Sequence, residues 1–159
     1  MELSFNENEI IVSKTDLKGR ITYGNEVFIK LSGYEERELL GKPHNIVRHP
    51  QMPKCIFKLL WERIQSGEEI FAYVVNQAKN GDHYWVFANV TPSFDNNGKI
   101  IGYYSVRRKP KSDALKTIQA LYATLINAEK SGGVNASVKY LEETLHSKGK
   151  NYDEFILSL

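Results

Sequence analysis

Residues 79–82, "KNGD", stand between two runs rich in aromatic and β-branched side chains, "EEIFAYVVNQA" (68–78) and "DHYWVFANVTP" (82–92). Asn-Gly between such runs is the strongest short-range signal for a β-hairpin, because both residues tolerate the backbone angles of a tight reversal. "DNNG" (95–98) repeats the signal and leads into "KIIGYYSVRRK" (99–109). Three consecutive strands therefore form an antiparallel meander. Such a sheet needs at least one face covered by other elements.

The N-terminal half supplies that cover. "EIIVS" (9–13) and "ITYG" (21–24) read as two further strands joined by the turn "DLKGR". Asn25 is placed to cap a helix whose Val27, Phe28 and Leu31 share a face until Gly33 stops it. "EERELL" makes a short helix ending at Gly41, and Ile56, Leu59, Leu60 and Ile64 recur at helical spacing up to Gly67. The fold class expected is α+β: a five-stranded antiparallel sheet with short helices on one face.

At Pro110 the composition changes. Leu115, Ile118, Tyr122 and Leu125 form one helical stripe, closed by "SGG" (131–133). Val134, Val138, Leu141 and Leu145 form a second, and Tyr152, Phe155, Ile156 and Leu159 a third. This divides the chain into a domain, 1–110, and a helical extension, 111–159, for output or dimerisation.

Several classes of function drop out. A net charge of +2 is too small to argue for nucleic acid, and the basic cluster Arg107, Arg108, Lys109 and Lys111 reads as solvated surface. The single cysteine, Cys55, excludes an internal disulfide framework and fits a reducing compartment. Neither a signal peptide nor a membrane-length apolar run is present, so the expectation is a cytoplasmic protein without direct membrane insertion. Four dispersed histidines match no metal-ligand spacing. Cys55 reads as a small core residue at a helix start, and Glu35, Glu36 and Glu38 as the exposed side of a short helix. No phosphate loop occurs, and no catalytic constellation forms, so the reading is a protein that binds and is not an enzyme.

"GKPHNIVRHPQMPKCIFKLLW" (41–61) is the candidate binding element. Its three prolines stiffen an irregular loop that carries His44, Arg48 and His49. Arg48 and His49 suit an anionic or polar group at a pocket mouth, although from composition alone a surface ion pair is the plainer use for Arg48. Phe71, Tyr73, Tyr84 and Trp85 on the meander supply flat walls or simply core.

"DLKGRITYGNEVFIKLSGY", "GKPHNIVRHPQMPK" and "KNGDHYWVFANVTP" resemble the PAS domains of the bacterial aerotaxis-receptor family, over about residues 10–108. The resemblance implies a PAS fold that binds FAD noncovalently and converts its redox state into a signal. It also implies flavin contacts at Asn25, Arg48, His49 and Asn76, with Trp85 counted to the same site. Two positions depart from the family pattern: Gln51 stands where an acidic residue is usual, and Ile70, followed by Phe71, where a tryptophan is usual. No membrane helix follows the PAS segment, so by analogy the chain resembles the sensor half of a two-chain system. A homodimer would then signal to a separate membrane-bound chemotaxis transducer, which recruits it to the inner face of the membrane. Two alternatives remain at this level: a cofactor-free interaction module, and a haem sensor using His49 or His83. Cys55 lies outside the motif used for flavin–cysteine photochemistry.

Overall fold

The computed structural model describes all residues, 1–159. Five strands, β1 (Ile11–Thr15), β2 (Ile21–Gly24), β3 (Ile70–Gln77), β4 (His83–Phe94) and β5 (Ile100–Arg108), form one antiparallel sheet in the order β2-β1-β5-β4-β3. Between β2 and β3 lie α1 (Glu26–Ser32), α2 (Glu36–Leu39), a 3-10 turn (His44–Val47) and α3 (Lys54–Gln65). The extension is α4 (Ser112–Ser147) and α5 (Tyr152–Leu157). The α+β architecture expected from the sequence is present.

Local chemistry accounts for most boundaries. Asn25 caps α1 by accepting the Phe28 N–H, and Gly33 closes that helix in the left-handed region. The β3–β4 hairpin turns on Gly81, with φ 94°, while no non-glycine residue has positive φ. Asn80 therefore stays on the negative side, and the connection is a longer loop with glycine at its left-handed position. Asn80 Oδ1 stiffens it by accepting the Asp82 N–H at 2.9 Å. The proline loop is more regular than expected, because residues 44–47 have room for one 3-10 turn between Pro43 and Pro50.

Register decides the two faces of the sheet. Val75 pairs with Trp85 and Asn76 with Tyr84. One face carries Val74, Asn76, Ala88, Val90, Tyr103, Ser105 and Arg107 toward the proline loop and α3. The opposite face carries Tyr73, Val75 and Trp85 toward α4. Trp85 packs on Tyr122 with ring centroids 5.8 Å apart.

The extension thus covers the second face of the sheet. It also covers the free edge of β3, where unpaired carbonyls would otherwise invite another strand. The Tyr122 hydroxyl donates to the Tyr73 carbonyl at 2.5 Å and the Tyr152 hydroxyl to the Phe71 carbonyl at 2.7 Å. Further along, Arg48 pairs with Asn76 as an isolated antiparallel bridge. The helical stripes break at Gly133 (φ 74°, ψ −170°), within the "SGG" that the sequence marks. Past this kink, Ser137 donates to Glu129 at 2.7 Å, and Glu129 accepts the Lys54 and Cys55 N–H groups at the start of α3, both at 3.0 Å. Arg63 on α3 forks onto the Asp153 carboxylate, both bonds at 3.0 Å. Ala114, Ile118, Tyr122, Leu125, Leu141, Tyr152, Phe155 and Ile156 belong to the same apolar cluster as Val75 and Trp85. Pro110 separates two kinds of secondary structure within one core.

Candidate functional site

A cavity of ≈ 240 Å³ lies between the inner face of the sheet, the proline loop and α3. Its flat walls come from α3 and β5: the Trp61 and Tyr103 rings meet edge to face at 5.6 Å, and Phe57 lines the loop side. Arg48 also lines it, its guanidinium stacked 3.9 Å above the Phe57 ring. Burial pulls the Arg48 pKa down from its usual value and the Glu129 carboxylate opposes that shift. Asn76 lines the cavity at 3% exposure.

The floor holds a polar chain of which the sequence marked only His44. Arg107 Nη2 donates to Ser13 Oγ at 2.6 Å, and Ser13 Oγ lies 2.8 Å from His44 Nε2. Arginine only donates, so Ser13 accepts from it, while the direction of the Ser13–His44 bond follows the histidine tautomer. With the His44 proton on Nδ1, Nε2 accepts from Ser13, and the ring is neutral. Phe28 holds both ends: the His44 ring stacks on it at 5.6 Å and the Arg107 guanidinium carbon lies 4.9 Å from its centroid. His44 is half-buried as a residue while its ring is enclosed. That burial, with the Arg107 charge beside it, pushes its pKa down to about 3. Burial likewise brings Arg107 down to about 10.

A pH dependence of stability follows. The unfolded chain protonates His44 near pH 6.5 while the folded chain resists until about pH 3, so the unfolded state binds the extra proton between these values. Stability therefore falls as pH drops below 6.5, by on the order of 2 kcal/mol at pH 5 from this residue. Denaturant midpoints at pH 7 and pH 5 should differ less in His44→Gln, whose amide oxygen still accepts from Ser13. An unchanged slope in the variant would assign the effect to other groups.

Three buried side-chain atoms have no hydrogen-bond partner: Asn76 Nδ2, Tyr84 OH and Arg107 Nε. Asn76 and Tyr84 are cross-strand neighbours on the inner face whose side chains interact without reaching good hydrogen-bond geometry. Burial raises the Tyr84 phenol to about 12, so it stays protonated. Unpaired buried donors each carry a desolvation cost of about 1–3 kcal/mol, and two of these three residues, Asn76 and Arg107, line the cavity.

Of the residues singled out from sequence, His44, Arg48 and Asn76 are brought together at this cavity. The others are placed elsewhere. Asn25 spends its side chain on structure, accepting the Val12 and Phe28 N–H groups and donating to the Ile10 carbonyl at 2.8 Å. Its contribution to the site is indirect, because it fixes Phe28. His49 turns away toward His83, with ring centroids 5.7 Å apart, and its Nδ1 accepts the Gln51 N–H. Neither of these two imidazoles lines the cavity, so a haem held through His49 or His83 would not sit there. Gln51 is exposed, and Ile70 is core at 0% exposure. Phe71 cannot stand in for the family's tryptophan, because it faces the other side and stacks on Phe87 at 5.8 Å. Trp85 belongs to that side too, under Tyr122. The largest correction concerns Arg107. Read as solvated surface within a basic cluster, it is 3% exposed and lines the cavity. Alternation from Tyr103 through Ser105 was the signal available for it.

Comparison with known proteins accords with this geometry. Residues 21–107 match the family model described as PAS fold. The chain is 43% identical over 119 residues to the aerotaxis receptor of Escherichia coli K12, covering 75% of this chain and 23% of the receptor. It is 27% identical over 99 residues to the nitrogen fixation regulatory protein of Klebsiella pneumoniae, covering 62% of this chain and 20% of that protein. The chain thus spans about a quarter or less of the length of these curated relatives. Among solved structures, a light-oxygen-voltage domain from a study of a flavin analogue superposes with TM-score 0.62 at 22% identity, covering 76% of this chain and 87% of that one. A PAS domain from Colwellia psychrerythraea gives TM-score 0.58 at 21% identity, over 64% and 86% of the two chains. No helix here is long and apolar enough to cross a membrane.

Proposed function

The chain belongs to the PAS family and is homologous to the aerotaxis receptor, and from that premise we propose that it is a redox or energy sensor holding FAD noncovalently in the cavity beneath α3. The observation that carries this reading is the set of unsatisfied buried donors, Asn76 Nδ2 and Arg107 Nε, converging on a cavity with aromatic walls. A flavin ring is planar and edged with carbonyl oxygens and ring nitrogens that accept hydrogen bonds. At ≈ 240 Å³ the cavity lies just under the usual ligand range of about 300–1,000 Å³. Lys18 and Arg48, which also line it, would supply positive charge toward the diphosphate of a bound FAD. When bound, the flavin supplies the reversible electron uptake that a redox sensor reads.

In this reading the protein signals rather than catalyses. It acts in the cytoplasm as a homodimer and passes its state to a chemotaxis transducer in a separate membrane-bound chain. β5 runs from the cavity residues Tyr103, Ser105 and Arg107 almost directly into α4, a short route from ligand to partner surface.

The test is the visible spectrum of the purified or FAD-reconstituted protein, followed by Arg48→Ala. Loss of a charge-assisted hydrogen bond costs about 1.5–3 kcal/mol, or roughly tenfold to a hundredfold in affinity. The variant should lose flavin on dialysis while retaining its circular dichroism. Equal retention by variant and wild type would remove Arg48 from the site; a protein that takes up no flavin would refute the cofactor.

A further inference from the structure

Arg107 is a cation with no counter-charge. All seven ion pairs of the structure lie elsewhere. Its polar surroundings are the Ser13 hydroxyl, the neutral His44 and the protonated Tyr84 phenol, none of which carries negative charge. The Phe28 face offsets part of its desolvation, but Nε remains without an acceptor. A fully formed charge held this way, at 3% exposure, is a structural liability unless something anionic faces it. An apolar side chain would pack the same place without that cost. The position is therefore explained by what enters the cavity.

We propose that Arg107 is the charge-reading residue of the cavity, supplying the counter-ion for a ligand that becomes negative on reduction and so holding the reduced form more tightly than the oxidised one. This rests on the flavin reading. Uptake of two electrons and one proton leaves a flavin ring with one net negative charge, and the only fully buried cation in the cavity wall is the guanidinium. The same attraction competes with Ser13 for Arg107, so a change of ligand charge is felt along Arg107, Ser13 and His44, and therefore by β1, β5 and the proline loop together.

The experiment uses the full chain, with and without FAD, as wild type, Arg107→Gln and Arg107→Lys. In the flavin-loaded protein, Arg107→Gln should weaken binding of the reduced form at least tenfold more than that of the oxidised form. An electrode titration reads this as a midpoint potential lower by about 30 mV or more for a two-electron couple. Arg107→Lys keeps the charge and should stay near wild type. In the flavin-free protein, Arg107→Gln should melt at the same temperature as wild type or higher, because a buried unpaired charge has been removed. A purely structural arginine gives the opposite pattern: a flavin-free variant that melts lower or does not fold, or a loaded variant with unchanged potential. Either result overturns the proposal while leaving the flavin reading intact. A wild type that takes up no flavin refutes that reading, and this proposal with it.

Discussion

A chain ending at Pro110 should lose its cooperative thermal transition, or melt more than 20 °C below the full chain. The cut leaves the sheet but removes α4 and α5, exposing one face of β3 and β4 where Tyr73, Val75 and Trp85 are now buried. Exposing a large apolar side chain costs about 1.5–3 kcal/mol. Three of them, with the loss of the Tyr122 and Tyr152 hydrogen bonds to the β3 edge, amount to about 5–10 kcal/mol. That is comparable with the whole stability of a typical domain. The bared edge and apolar face should also drive self-association of the fragment. Far-ultraviolet melting and sedimentation of the two chains decide the point. A truncated protein that melts with the full chain and stays monodisperse would show the extension to be dispensable for the fold, as a detachable output element would be.

Tyr122→Ala should be the most damaging single substitution in the extension, at about 3–5 kcal/mol. The ring fills space against Trp85, and its hydroxyl satisfies the Tyr73 carbonyl on a strand with no further neighbour. Tyr122→Phe separates the two contributions. It keeps the ring and removes only the hydrogen bond, so about 0.5–1.5 kcal/mol is expected, rising if the carbonyl stays dry. Urea unfolding of both variants gives the difference. Should Tyr122→Ala cost no more than Tyr122→Phe, the ring is not a packing element and α4 is held by other contacts, such as Glu129 on the start of α3. Wild-type flavin retention in Tyr122→Phe would show in addition that the outer face can be perturbed without reaching the cavity.

The elements themselves were legible along the chain because each rests on short-range chemistry. Asn80-Gly81 makes its reversal and Asn25 its cap. The stripe Ile56, Leu59, Leu60, Ile64 makes α3, and "SGG" marks the break in α4. Motifs also carried Arg48 and Asn76 to the site, and the structure joins them through a backbone bridge between residues 28 positions apart.

What the chain could not disclose was parity. Alternation along β3, β4 and β5 sorts residues into two sets, but it marks the solvent face only when one set is polar. Here α4 covers the second face, so both sets are apolar and aromatic. Trp85 and Phe71 look as fit to wall a cavity as Tyr103, while Arg107 merges with the exposed Arg108 and Lys109 that follow it. Asn25, a good cap and a family-matched ligand residue, has only one side chain, and the geometry of α1 against β1 commits it to the cap. Local propensity therefore determined which segments are strands and helices. Only the packing of a helix from residues 112–147 onto the far side of the sheet decided which face holds the cavity, and with it that a buried arginine would be left facing inward without a counter-charge.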